Sequence, residues 1–470
     1  MGQLMMILDA TIVNVALPAI QRDLHFSNSA LTWVPNAYLI AYGSFLLLGG
    51  RIGDLIGRTR MFLIGLTVFT AASVLCGVAD SEATLIGARF LQGFGSAICS
   101  SAILALIVVE FPDARERMKA MSAFTFVSVA GGSIGLLAGG LLTEALSWHW
   151  IFFINVPIGI LAFVLGVITL DRDHGLGLTR DIDLLGSFLI TASGLVGIFA
   201  IVQSRTYGVG SLKTIGLAAL TAAMLVAFFK LENRIANPIL PVRIMKLRSL
   251  MIACGIRALM VCGMWASFFL GALYLERVRG FGPISTGVAF LPQTLVVATL
   301  SLGVTARLTE RFGHRAILIT GLSTLTVSLS LFGVGLYADT PYFPLQFIGY
   351  LLLGVGAGMS FMTLMALALA DVPPEDAGVA SGIVNVSVQI AAAIGLAALG
   401  TVAASRTSAL QGHESSAAAL AGGYRLAFGL AAGSVAAALV STLVWLRRVK
   451  PVVKPAATAT EHERELELAG

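Results

Sequence analysis

The chain is a succession of long apolar runs separated by short polar breaks. A membrane-spanning helix needs about 20 consecutive, mostly apolar residues. Runs of that order occur at roughly 2–20, 31–50, 61–79, 83–108, 119–142, 151–170, 184–204, 214–230, 249–275, 285–306, 316–337, 343–366, 379–404 and 424–446. The pattern predicts fourteen transmembrane helices, an all-α polytopic membrane protein. An even count puts both termini on one side. Alternating breaks and the C-terminal tail hold 21 Lys and Arg on that side, among them Arg51, Arg58, Arg60, Arg115, Arg117, Lys119, Arg307, Arg311, Arg315, Arg447 and Arg448. The opposite breaks hold 7: Arg22, Arg205, Lys213, Arg277, Arg279, Arg406 and Arg425. The excess marks the cytoplasmic side, so both termini face the cytoplasm.

One break stands apart. Gly50-Arg51-Ile52-Gly53-Asp54-Leu55-Ile56-Gly57-Arg58-Thr59-Arg60 joins the second and third spans. So short a connection makes its two helices antiparallel neighbours. Gly50, Gly53 and Gly57 suit close backbone approach. Asp54 is expected ahead of the next helix, facing its positive end or an arginine. The run is echoed at Ala306-Arg307-Leu308-Thr309-Glu310-Arg311-Phe312-Gly313-His314-Arg315, with Glu310 in the place of Asp54 and Gly313 in that of Gly57. The spacing G-x-x-x-D-x-x-G-R-x-R resembles the loop signature of the major facilitator superfamily. Its recurrence between the tenth and eleventh spans divides the chain into residues 1–170 (six helices), 171–248 (two inserted helices and a linker with Pro238 and Pro241), 249–446 (six helices) and 447–470. The last, rich in Ala, Thr and Glu, is expected to be a disordered cytoplasmic tail. Repeated halves are a common build of secondary transporters, with the substrate site near the midplane between them.

Composition supports a bilayer solvent: 57% of residues are hydrophobic and 12% charged, against about 25% charged in soluble domains. The net charge of +5 sits in loops, which argues for topology and against nucleic-acid binding. Cys76, Cys99, Cys254 and Cys262 all lie in apolar segments without C-x-x-C spacing, so neither disulfides nor zinc are expected. The first span lacks the charged start and small-residue cleavage site of a signal peptide. Gly354-Val355-Gly356-Ala357-Gly358 lies inside an apolar span and is not a nucleotide loop. No nucleophile set, metal cluster or cofactor motif stands out, so an enzyme is not expected.

Asp9 is the sharpest single candidate. It lies about 12 Å into the first span at 1.5 Å per residue, where a charge costs roughly 2.5–3.5 kcal/mol. It is therefore expected to face the bundle interior or a wet cavity, and to exchange a proton there. In the fourth span Arg89, Gln92, Gly93, Ser96 and Ser100 share one face. Arg89-Phe90-Leu91-Gln92-Gly93-Phe94-Gly95 resembles the fourth-helix motif of the superfamily, which implies a part in proton transfer for Arg89; a structural arginine is the alternative. In the fifth, Gly131, Gly135 and Gly139, with Gly140 beside them, form a small-residue face for close helix contact; the run resembles the antiporter motif of drug exporters, which implies a role in transport direction, with ordinary packing as the alternative. Trp148 and Trp150, opening the sixth span, read as an interfacial belt with His149. Arg257 is expected to snorkel to the cytoplasmic face, and Glu276 to pair with Arg277 or Arg279. Cavity candidates are Asn14, Trp33, Asn36, Tyr38, Gln92, Asn385 and Gln389.

Leu8-Asp9-Ala10-Thr11-Ile12-Val13-Asn14-Val15-Ala16-Leu17-Pro18, Arg89-Phe90-Leu91-Gln92-Gly93-Phe94-Gly95, the glycine run of the fifth span and Trp148 to Gly159 together resemble the fourteen-helix drug:proton antiporter branch of that superfamily. One departure is Leu136, where the branch carries a proline. The resemblance implies two six-helix bundles plus two inserted helices, and export of a hydrophobic, cationic or amphipathic compound across the bacterial cytoplasmic membrane. It implies that protons drive the cycle without a cofactor, that Asp9 and Arg89 carry proton coupling, and that Gly50, Asp54, Gly57, Arg58, Arg60, Glu310, Gly313 and Arg315 form cytoplasmic latches. A monomer is expected, with lipid, protons and a small molecule as partners. A dedicated exporter of one metabolite or self-made antibiotic is the alternative; a proton-coupled uptake symporter fits less well. A C-terminal green fluorescent protein fusion is expected to fluoresce and a C-terminal alkaline phosphatase fusion to be inactive; the reverse pair of readings would overturn the cytoplasmic placement.

Overall fold

The computed structural model describes residues 1–445 apart from 32, 112, 172–183, 209, 236–241 and 374–376; the predicted tail and the linker prolines lie outside the described residues. The first half comprises α1 (Gly2–Asp23), the single turn α2 (Asn28–Leu31), α3 (Trp33–Ile56), α4 (Arg58–Gly77), α5 (Glu82–Glu110), α6 (Ala114–Ala145), the turn α7 (Trp150–Phe153) and α8 (Asn155–Thr169). Then come α9 (Leu184–Tyr207), α10 (Leu212–Glu232) and the turn α11 (Val242–Met245). The second half has α12 (Arg248–Arg277), α13 (Pro283–Ala289), α14 (Leu291–Thr299), α15 (Thr305–Gly335), α16 (Phe347–Leu369), α17 (Ala377–Leu410) and α18 (Ser416–Trp445). Helix covers each of the fourteen apolar stretches, and no strand occurs among the described residues. Ten helices there are long and apolar enough to cross a membrane. The chain is an all-α polytopic membrane protein, and the fourteen-span reading is consistent with this course.

Helix ends follow local chemistry. The Ser81 hydroxyl caps α5 by accepting from the Thr84 N–H at 3.3 Å, and Ser211 caps α10 in the same way at 3.2 Å, each satisfying a free amide of the first turn. The two loop signatures turn on glycine. Gly57 has φ 107° and ψ 134°, and alone separates α3 from α4. Gly313 has φ 80° and ψ 153° and kinks α15 at the corresponding place. This region is essentially closed to residues with a Cβ, so the sequence echo is a repeated backbone bend. Asp54 precedes α4 from within the last turn of α3. One detail of the expectation changes. Gly50 and Gly53 are not sites of close approach: an added Cβ would find ordinary contacts at 3.8 and 3.7 Å. The close approach of α3 to α5 is at Gly49, where a Cβ would sit 2.9 Å from the Ser101 hydroxyl, and at Gly93, where it would collide with the Tyr38 carbonyl oxygen.

Packing within the first half joins α1 to α6, α3 and α4 to α5, and α4 to α8; within the second it joins α15 to α16 and α18, and α12 to α17 and α18. The inserted helices pack on each other, and α9 also lies along α3 and touches α17. Only 6% of the apolar core of α10 is buried, so it lies on the outside of the assembly. The halves meet where α6 crosses α13 and α14 and where α3 meets α17. Val15 and Leu136 of the first half belong to the hydrophobic core of the second. At one end of this seam the Arg277 guanidinium donates to the Gln21 side-chain carbonyl at 3.4 Å, and the Ile284 amide to Glu144 at 3.3 Å.

The glycine face of α6 packs on α1. An added Cβ would lie 3.2 Å from Ile7 at Gly131, 2.8 Å from the Leu8 carbonyl oxygen at Gly135 and 2.6 Å from the Ile12 carbonyl oxygen at Gly139; Gly140 is buried on the same helix. With no hydrophobic driving force between helices in lipid, such close contact is what holds them together. Gly135→Val should therefore lower the stability of detergent-solubilised protein by about 1–3 kcal/mol, the usual overpacking penalty, seen as a fall in thermal-melt midpoint. Gly87→Ala, where a Cβ meets nothing within 4 Å, is the control and should leave it unchanged.

Candidate functional site

The polar centre of the first half is built on Asp9. Its carboxylate is fully buried and accepts from three side chains on two other helices. Arg89 Nη1 reaches Oδ2 at 2.5 Å, while Gln92 Nε2 and Asn155 Nδ2 reach Oδ1 at 2.8 and 2.9 Å. Arg89, on the Ser81-capped α5, is also fully buried. Its Nη1 donates to Gln92 Oε1 at 2.6 Å and its Nε to the Val34 carbonyl of α3 at 3.2 Å, and its guanidinium lies 4.4 Å over the Tyr38 ring. Ser73 of α4 accepts from Gln92 at 2.5 Å and from Asn155 at 3.2 Å. Five helices thus converge on one fully buried ion pair.

The face predicted on α5 is intact. Ser96 and Ser100 meet Tyr38 and Tyr42 of α3, each at 2.9 Å, and the Tyr38 hydroxyl also donates to the Met6 carbonyl of α1 at 3.2 Å. Gln92 and Tyr38, expected to line a cavity, instead belong to the Asp9 network. Ser73, a lone serine in an apolar helix, carries no signal in the sequence. Asn155 lies within the Trp148 to Gly159 block; an amide inside a span is a cue to a polar role, but not to its partner. Asn14 and Asn36 are buried but outside this network. Trp33 faces elsewhere: its ring meets that of Phe199 of α9 at a tilt, with centroids 5.7 Å apart, and it lines an apolar groove of about 440 Å³ with Ile40, Phe90 and Leu195. Asn385 and Gln389 are half-buried on α17, where Val386 packs against the first-half core.

Three expectations are corrected. Trp148 is not an interfacial belt residue: it is buried, and its indole donates to Asp23 at 2.8 Å, tying the start of the sixth span to the end of α1; Trp150 keeps the exposed position. Glu276 does not pair with Arg277 or Arg279. Both its oxygens are buried without a hydrogen bond, while Arg277 turns to Gln21 and Arg279 to the Ala338 carbonyl. Arg257 does not snorkel; it is buried against α16. Of the loop residues, Arg58 is half-buried and Arg60, Glu310, Gly313 and Arg315 are exposed, with no ion pair between Glu310 and Arg315 among the described residues. Among those residues no group of His, Cys, Asp and Glu is placed to hold a metal ion.

Two helical halves in contact along a seam, a helix pair beside them and a charge pair sealed inside the first half define a polytopic membrane transporter. The chain belongs to the Major Facilitator Superfamily, whose sequence model matches residues 1–396 and again 294–468. It is 38% identical over 452 residues to the puromycin resistance protein of Streptomyces alboniger, covering 95% of this chain and 89% of that one. It is 32% identical to the multidrug resistance protein Stp of Mycobacterium tuberculosis, covering 87% and 75%. The fold matches that of the POT family transporter PepTSo with a TM-score of 0.64 at 18% identity, over 94% and 97% of the two chains.

Removing one partner of a buried ion pair leaves an uncompensated charge, at a cost of about 3–5 kcal/mol. Asp9→Asn and Arg89→Gln should each lower the thermal-melt midpoint of the purified protein, and the double variant should lose less than the sum of the two. Additive losses would mean that the pair is not coupled.

Proposed function

We propose that this protein is a proton-driven exporter of drugs or antibiotics across the bacterial cytoplasmic membrane, working by alternating access of the bundles 1–170 and 249–446. The observation that carries this reading is the sealed Asp9–Arg89 pair. All three side-chain partners of this carboxylate are donors; a proton arriving there weakens the attraction and leaves Arg89 to Gln92, the Val34 carbonyl and the Tyr38 ring. Asp9 is carried by α1, which is packed on the other side against the α6 glycine face. α6 in turn crosses the second half at Gly287, where a Cβ would sit 2.6 Å from Leu137 Cα. Protonation therefore loosens α1 from α5 and α8 while it stays bound to α6, the helix that contacts the other bundle. Binding of substrate and loss of the proton are read as reversing this step.

The relatives support an export role: one printed name concerns puromycin resistance and another multidrug resistance. They leave room for both a broad pump and a dedicated exporter of one antibiotic. The glycine bends at Gly57 and Gly313 support the reading of both loops as matched cytoplasmic latches. No cofactor is required, and the expected unit is a monomer.

The test uses inside-out vesicles with an acidic lumen and a pH-quenched dye. Addition of a transported compound such as ethidium should restore the dye signal in the wild type. Asp9→Asn, present in the membrane at equal amount, should show less than about a tenth of that recovery, the scale on which loss of a positioned proton-transfer group is felt. Equal recovery would overturn the coupling role of Asp9.

A further inference from the structure

The second half holds a buried arginine whose surroundings are the opposite of those of Arg89. Arg257 is 9% exposed and lies on α12. Its Nη1 reaches only the Met365 sulfur, at 3.6 Å, a weak acceptor. Its guanidinium lies 4.9 Å over the Phe361 ring, and its Nε is buried with no partner. Among the described residues no carboxylate lies within ion-pair distance of it. A guanidinium keeps its charge at any physiological pH. A buried charge without a counterion is costly, and a planar fork of donors is matched by a planar or tetrahedral oxyanion.

The place of this arginine in the fold ties it to the seam between the halves. One turn earlier on α12, the Cys254 thiol faces Ser387 of α17. The neighbouring Val386 packs against the first-half core. The α12–α17 contact beside Arg257 therefore adjoins the surface along which the two bundles meet.

We propose that Arg257 is an anion-recognition point on the transport pathway. It takes a carboxylate, sulfonate or similar oxyanion of an amphipathic molecule whose aromatic or apolar body lies against Phe361 and Met365. This inference rests on the export reading for its place on a pathway, and it extends the substrate class from cations and neutral compounds to organic anions. The first half, with its arginine neutralised by Asp9, offers no such charge; the second half offers one that is unspent.

The experiment measures equilibrium binding of carboxyfluorescein by fluorescence anisotropy to purified protein in zwitterionic nanodiscs. No proton gradient is present, so failure of proton coupling leaves the result readable. Arg257→Gln should weaken binding at least about tenfold, the loss expected when a charge-assisted hydrogen bond is removed, while ethidium binding changes less than about twofold. Arg257→Lys should fall between, because it keeps the charge and loses the fork. Competition on the wild type needs no variant: benzoate should displace the probe and benzylamine should not. Repeating the titration with phosphatidylglycerol in the disc distinguishes the source of the anion. A Kd unmoved by the lipid assigns the site to soluble amphipaths, and one that rises with its content assigns it to a lipid headgroup; both retain the oxyanion site. Equal binding in wild type and Arg257→Gln, or equal displacement by benzoate and benzylamine, would overturn the proposal.

Discussion

A charge sealed inside a helix bundle in a bilayer must meet its opposite, and the first half of this protein is arranged around that constraint. Asp9 and Arg89 stand on different helices, and neither is tolerable alone at zero exposure. The pair is completed by amides from α5 and α8, a serine from α4, and a carbonyl and an aromatic face from α3. These contacts fix the relative placement of five helices with few hydrogen bonds. In lipid each such bond is modest in free energy, so the network matters more for specifying one arrangement than for stability.

The second constraint is steric. Helices in lipid approach one another because small residues allow it, and this chain places glycines where the moving parts meet. The α6 face at Gly135 and Gly139 puts backbone against the backbone of α1 on both sides of Asp9. Gly93 does the same between α5 and α3 beside Arg89. A shift of α1 relative to α5 is therefore felt by α6, and through Gly287 by the second half. Close packing transmits such displacements because interfaces of this kind hold discrete arrangements and do not deform continuously. Leu136, standing where the antiporter branch has proline, leaves α6 an unbroken helix from Ala114 to Ala145 and buries its side chain in the core of the other half.

The halves share an architecture and differ in chemistry. Both turn the corresponding loop on a glycine in a region of φ and ψ closed to other residues, and both bury an arginine within a helix. In the first the arginine is neutralised by a carboxylate; in the second it faces a thioether and a phenyl ring. The two halves share a frame, and the side chains buried within them differ.

Much of this was legible in the chain. Hydrophobic run length alone marked the helices, because a bilayer demands about 20 apolar residues per crossing. The spacing of Gly, Asp or Glu and Arg in two loops marked the repeat, since a tight bend admits few residue types. The cost of an intramembrane charge singled out Asp9 and Arg89 before their contact was seen. Three things were settled only by tertiary structure. Partners from distant helices, Ser73 and Asn155, cannot be read locally because hydrogen bonding across helices leaves no period in the sequence. The side chains of Trp148, Glu276 and Arg257 point inward and not toward the interface or a neighbouring charge, because rotation of a helix about its axis is set by what it packs against. Which glycines touch and which merely lack a side chain, Gly49 and not Gly50, depends on crossing points that arise when two helices meet.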